Sequence, residues 1–181
     1  MPRITPGSRR YRSKEEIAKD LAFILTAPVS YGTKFAVLKD AMWVWTEFNG
    51  KYEGCPYWSG MAMIRYAVNR NKKGKRHIGL RHEHIVPKRV VMEMLDSQNP
   101  ATPEAVFAIC EKFLIAVVIT MEEDAILNCL YQSTMPKEFY DEAGPEHHDP
   151  WLRYKRCDIK WATEEATREA VRTHAPQLNL D

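Results

Sequence analysis

The stretch Leu114-Ile115-Ala116-Val117-Val118-Ile119-Thr120 (LIAVVIT, residues 114–120) reads as a strand, being short, apolar and rich in the β-branched side chains that suit a pleated, half-buried surface. It runs straight into a helix start. Thr120 followed three residues later by Glu123 is a capping-box pattern, in which each side chain satisfies a backbone N–H that the first helical turn leaves unbonded. The spacing predicts a helix over Met121–Cys129, entered from the strand without a loop.

Working outward, His77–Val86 has the length and Ile/Val content of a second strand, ended by Pro87, which cannot donate to a sheet ladder. Helical patterns surround these two strands. Ser13 and Glu16 form another capping box, and Ile17, Leu21, Ile24 and Leu25 recur at helical spacing until Ala27-Pro28 stops the run. From Thr33 to Phe48, Phe35, Leu38, Met42, Trp45 and Phe48 follow three-and-four spacing. Asn49-Gly50 can then supply a left-handed cap or, in the competing reading, turn a hairpin. Tyr57–Val68 reads as a third helix and Arg89–Leu95 as a short one. Thr102-Pro103 starts another, with Thr102 as N-cap and Pro103 at the first helical position. The breaker-rich stretch 132–150 reads as a loop before one or two closing helices, one started by Thr163. The expected fold is α+β and mostly helical. A mobile basic arm over residues 1–12 precedes a single domain over 13–181 with a small two- or three-stranded sheet.

Composition supports a folded chain. With 181 residues, 45% hydrophobic and 28% charged, it lacks the apolar depletion that marks disorder. No run approaches the roughly 18 apolar residues that span a bilayer, and the N-terminal stretch has no apolar core of a secretory signal, so no membrane partner and a cytoplasmic location are expected. Cys55, Cys110, Cys129 and Cys157 stand far apart with no CxxC pair, which points to free thiols. Trp43, Trp45, Tyr52, Tyr57 and Trp58 make an aromatic-dense region that reads as core, with base stacking as the alternative.

The net charge of +2 conceals a strong asymmetry. Residues 65–89 carry nine basic side chains against the single acid Glu83, a net of +8, while residues 90–181 carry eight basic and seventeen acidic ones, a net of −9. Arg70, Lys72, Lys73, Lys75, Arg76, Arg81, Lys88 and Arg89 are the candidate phosphate contacts, because a concentrated basic segment steers and holds a polyanion. A solvated charged loop is the other reading.

Arg81–Lys88 (RHEHIVPK) is where chemistry is expected. On a strand His82 and His84 point to one face and Glu83 to the other, since side chains alternate with period two. Two imidazoles on one face can share a metal, or one can be a base while the other is structural. Asp124 and Asn128, four apart on the helix after LIAVVIT, lie on one helix face and offer oxygen donors. Oxygen donors suit Mg²⁺ or Mn²⁺ better than zinc. A second cluster, Glu146-His147-His148-Asp149, holds ligand-type residues but sits in the breaker-rich loop and reads as surface.

Glu83-His84-Ile85-Val86-Pro87 resembles the first motif of the HNH, or ββα-metal, nucleases, which has an acidic or polar residue, a His, an aliphatic pair and a Pro. The strand 115–120 and the helix carrying Asp124 and Asn128 are similar to the family's second half, so the resemblance covers residues 81–128. It implies His84 as the base that activates a water against a phosphodiester. It also implies Glu83, His82, Asp124 and Asn128 as candidate ligands of a divalent metal. Two short helices stand where the family has a shorter loop, Asp124 stands where a His is common, and no residue clearly supplies the orienting Asn, although Asn99 lies in that insertion. The expected function is metal-dependent cleavage of DNA or RNA. The alternative is a non-catalytic regulator, phage- or defence-associated, that binds nucleic acid or an acidic protein through residues 65–89.

Overall fold

The computed structural model describes residues 12–70, 72, 74–175 and 177. The arm expected over residues 1–12 lies outside them except for Arg12, which pairs with Asp40 at 3.1 Å. In chain order the elements are α1 (Lys14–Thr26), α2 (Tyr31–Thr46), β1 (Tyr57–Ser59), α3 (Gly60–Asn69), β2 (Leu80–His84), α4 (Lys88–Asp96), α5 (Pro103–Phe113), β3 (Ala116–Thr120), α6 (Met121–Tyr131), a 3-10 turn (Lys137–Tyr140), α7 (Leu152–Arg156), β4 (Trp161–Thr163) and α8 (Glu164–His174). This is an α+β domain, mostly helical, with one small sheet.

The helix ends are set by the residues the sequence offers. Both capping boxes form: Ser13 with Glu16 starts α1, and Thr120 with Glu123 starts α6 directly out of β3. Ser30, Thr102 and Thr163 cap α2, α5 and α8 through their hydroxyls. α2 ends at Thr46 with Glu47 as its C-cap, and Asn49-Gly50 forms neither that cap nor a hairpin but a turn after it, Gly50 at φ +109° donating to the Glu47 carbonyl at 2.9 Å.

The sheet has four strands, in the order β2-β3-β1-β4, one or two more than expected. Residues 57–59 are strand rather than the start of the third helix: Trp58 pairs with Val118 of β3 and Ala162 of β4, and Ser59 caps the helix that begins at Gly60. Three-residue strands such as β1 and β4 carry too little alternation to be read from sequence; pairing on both sides of β1 makes them. The second strand starts at Leu80, later than the expected His77, because Gly79 turns the chain at φ +79°. A side chain on Gly79 would meet Arg65 at 2.8 Å.

β3 is buried along its whole length between two cores. Val117 and Ile119 join the larger one, built from α1, α2, α4 and α5 with Leu127, Phe139, Leu152 and Tyr154. Ala116 and Val118 join the smaller one, with Trp58, Met63, Tyr66, Leu80 and Val171. β2 stands at the sheet's edge beside β3. Among the described residues no helix is long and apolar enough to cross a membrane, and all four cysteines are free thiols.

Candidate functional site

Strand alternation sorts the RHEHIVPK side chains. In the β2–β3 ladder His82 lies opposite Val118 and His84 opposite Ala116, whereas Arg81 lies opposite Ile119 and Glu83 opposite Val117. Paired residues share a face, so the two histidines point one way and Arg81 and Glu83 the other.

On the histidine face the C-terminal end of α2 closes in. The His84 imidazole Nε2 lies 3.1 Å from Thr46 Oγ1, and that hydroxyl also donates to the Met42 carbonyl at 3.2 Å. A hydroxyl has one proton and a carbonyl can only accept. The Thr46 proton therefore goes to Met42, and His84 Nε2–H donates to Thr46. His82 Nδ1 lies 3.7 Å from Glu47 Oε1, and the backbone of Thr46 also bonds this imidazole. The Thr46 backbone bond favours the protonated ring and so comes from an acceptor, which places the ring proton on Nδ1 and the lone pair on Nε2. That Nε2 is buried and has no hydrogen-bond partner among the described residues. Leaving such an atom unpaired costs about 1–3 kcal/mol. The two rings stand edge to face with centroids 5.7 Å apart.

The opposite face is organised by Arg153 from α7, which is fully buried. Its guanidinium donates to Glu83 Oε1 at 2.6 Å, to the His84 and Ile85 carbonyls at 2.8 and 3.2 Å, and to the Tyr131 carbonyl at 2.7 Å. One side chain thus ties the end of β2 to the end of α6. Burial pushes the Glu83 carboxyl up, with Arg153 pulling against it. We take Glu83 as ionised, since a guanidinium at 2.6 Å satisfies a carboxylate directly.

An open polar cleft of about 420 Å³ wraps around this strand edge. His82, His84, Glu47, Lys51 and Trp43 line it from one side, Glu83, Gln132 and Ser133 from the other, and Pro87, Lys88 and Arg89 where the chain turns into α4. α4 begins without a capping side chain, so its first N–H groups and the positive end of its dipole are presented at the rim. Burial, then Lys51, pulls His82 down to about 4. Burial, then Lys88, holds His84 well below the usual imidazole range. Both rings are neutral near pH 7. Burial also lowers the Lys88 ammonium.

The expected metal donors divide between the two faces of β2, with Glu83 and Asp124 near each other on one and His82 and His84 on the other. Asp124 lies 3.7 Å from Arg81 Nε, hence on the Arg81 and Glu83 face, and Asn128 is exposed on α6. Glu83 is held by Arg153, while His82 and His84 engage Thr46 and Glu47 across the strand. Among the described residues no group of three His, Cys, Asp or Glu side chains is arranged to hold a metal.

The basic segment divides in two. Lys88 and Arg89 sit on the cleft rim, Arg89 also bonding Glu93 at 2.9 Å. Arg70, Lys72 and Arg76 line a separate cavity of about 530 Å³ with Gly74, His77 and Ile78. It adjoins the start of β2, whereas the cleft lies at its end, about 13 Å further at a strand's rise per residue. Lys75 is exposed beside it, Arg81 pairs with Asp124, and Lys73 lies outside the described residues. Of the aromatic region, Trp45 and Trp58 are core, while Trp43 is half-buried at the cleft under Lys51, 5.2 Å from its ring. In the loop cluster, His147 stacks on His148, whose ring packs against Phe113 and Phe139.

No protein-family model, curated protein or solved structure matches this chain.

Thr46, Glu47, Lys51 and Arg153 escaped the sequence reading. Glu47 carried a signal: an acid at the C-terminal end of a helix runs against the dipole, so something else must hold it there. Arg153 carried none, since it lies 70 residues from Glu83.

Proposed function

We propose that the cleft at the β2 edge is a phosphodiester-cleaving centre acting on nucleic acid, HNH-like in its Glu83-to-Pro87 motif but built on the histidine pair and its lysine neighbours. One observation carries the reading: two neutral imidazoles share an open polar cleft whose rim holds Lys51, Lys88, Arg89 and an uncapped helix start. A neutral imidazole can take a proton from water as the water oxygen bonds to phosphorus and the bond to the leaving oxygen breaks. The leaving oxygen is protonated from solvent. Ammonium groups and helix N–H groups stabilise the charge that builds on the phosphate oxygens. No step here is routed through a metal. The test is cleavage of plasmid, linear duplex, single-stranded DNA and RNA, each with Mg²⁺, with Mn²⁺ and with EDTA, by wild type and by the His82→Ala/His84→Ala double variant. Cleavage by wild type alone supports the reading, and loss in EDTA would restore a metal to it.

A second reading, a non-catalytic regulator binding nucleic acid or an acidic protein, is favoured by the basic cavity of Arg70, Lys72 and Arg76. Binding without cleavage of any substrate would select it.

A further inference from the structure

We propose that His82, and not His84 of the HNH-like motif, is the proton acceptor of this cleft, with Glu47 as the residue that positions it. The inference rests on the phosphodiesterase reading above and names the groups that perform it. His84 has its Nε2–H committed to Thr46, whose hydroxyl is fixed in turn by Met42. That ring is part of the scaffold joining α2 to β2.

His82 differs on each count. Its side chain is 2% exposed and lines the cleft, and its Nε2 has no partner among the described residues. The Thr46 backbone bonds its ring, and Nδ1 lies 3.7 Å from a Glu47 carboxylate oxygen, an ion-pair separation beyond hydrogen-bond reach. The Thr46 backbone bond fixes the tautomer, and the Glu47 carboxylate at 3.7 Å stabilises the imidazolium once Nε2 has taken a proton. The charged and titratable groups around the ring are Glu47 at the end of α2, Lys51 from the loop after it, His84 beside it on β2, and Lys88 from α4. The two lysines oppose protonation of His82 in the empty cleft. A bound phosphate offsets their charge, so the ring becomes a stronger base when substrate is in place. Lys51 and Lys88 are long, flexible side chains on the same cleft and can follow the phosphate. The proton balance is that of a hydrolysis: water gives its proton to His82 Nε2, its oxygen bonds to phosphorus, and the displaced oxygen takes a proton from solvent.

The test compares His82→Gln, His84→Gln and Glu47→Gln with wild type in single-turnover cleavage of a labelled oligonucleotide, with affinity for the same oligonucleotide measured beside it. His82→Gln should lower the rate constant by about 10²- to 10⁴-fold with affinity nearly unchanged. Free imidazole should restore part of the activity of His82→Ala. Glu47→Gln should lower the rate constant by about tenfold without a matching loss of affinity, and Glu47→Asp should recover part of it. His84→Gln should cost no more than about tenfold in rate. If wild type cleaves and His84→Gln abolishes cleavage while His82→Gln does not, this inference is overturned and the reading of the cleft stands. If wild type cleaves no substrate under any metal condition, both fall. Should a variant fail to fold, nitrogen-15 NMR of the wild-type imidazoles decides: Nδ1–H on His82 with Nε2–H on His84 is expected, and the reverse pair refutes the assignment.

Discussion

Acid should destabilise this fold through the histidine that the cleft keeps neutral. His82 is held down to about 4 from an ordinary value of 6.5. A ring that resists protonation when folded and accepts it when unfolded makes the unfolded state bind more protons below pH 6.5. The contribution is therefore fully present above pH 6.5 and lost as the pH falls toward 4. From the two values, His82 alone costs about 2 kcal/mol of stability by about pH 5 and about 3 by pH 4. His84, also depressed, adds in the same direction. The assay is urea unfolding of wild type and His82→Gln at matched pH values between neutral and about pH 5. Because carboxylates elsewhere also respond to acid, the informative quantity is the difference between the two slopes. Wild type should lose about 2 kcal/mol more than the variant over that range. Parallel curves would show that His82 is solvated, and the account of a buried, unpaired imidazole would be wrong.

Arg153→Met should destabilise by about 3–5 kcal/mol, because it strands the Glu83 carboxylate and removes the donor from three carbonyls; a melting temperature near wild type would contradict the network. Trp45→Ala should cost about 3–5 kcal/mol in chemical denaturation, since the ring is buried edge-on against Phe107 at 5.5 Å. An unchanged midpoint with lost ligand affinity would make that ring a binding surface instead. Nucleic-acid affinity should fall steeply with salt, and charge reversal at Lys72, Lys73, Lys75 and Arg76 should remove most of it. Salt-independent binding would exclude the basic cavity as a phosphate site.

Local chemistry was readable where it is local. The capping hydroxyls of α1, α5, α6 and α8 and the β-branched run of β3 act within a few residues of themselves, so the sequence places them nearly in full. β1 and β4 exist because Trp58 finds Val118 and Ala162, partners far away in the chain. The site divides in the same way. Period-two alternation correctly put His82 and His84 together and Glu83 apart. Which face Asp124 joins depends on how α6 crosses β2, and no residue spacing encodes that. Arg81 and Arg153 claim the carboxylates that a motif would assign to a metal, while Glu47 arrives beside His82 from a helix that the motif does not include.

The most direct measurement of the central claim is cleavage of labelled DNA and RNA by the purified chain under excess enzyme, followed to completion beside the His82→Ala/His84→Ala double variant at equal folded concentration. The account expects wild type to produce new phosphate-terminated or hydroxyl-terminated ends, and the double variant to bind the same substrate while being slower by at least about 10²-fold. Equal cleavage by both proteins, or none by wild type on any substrate with Mg²⁺, Mn²⁺ or EDTA, would contradict it.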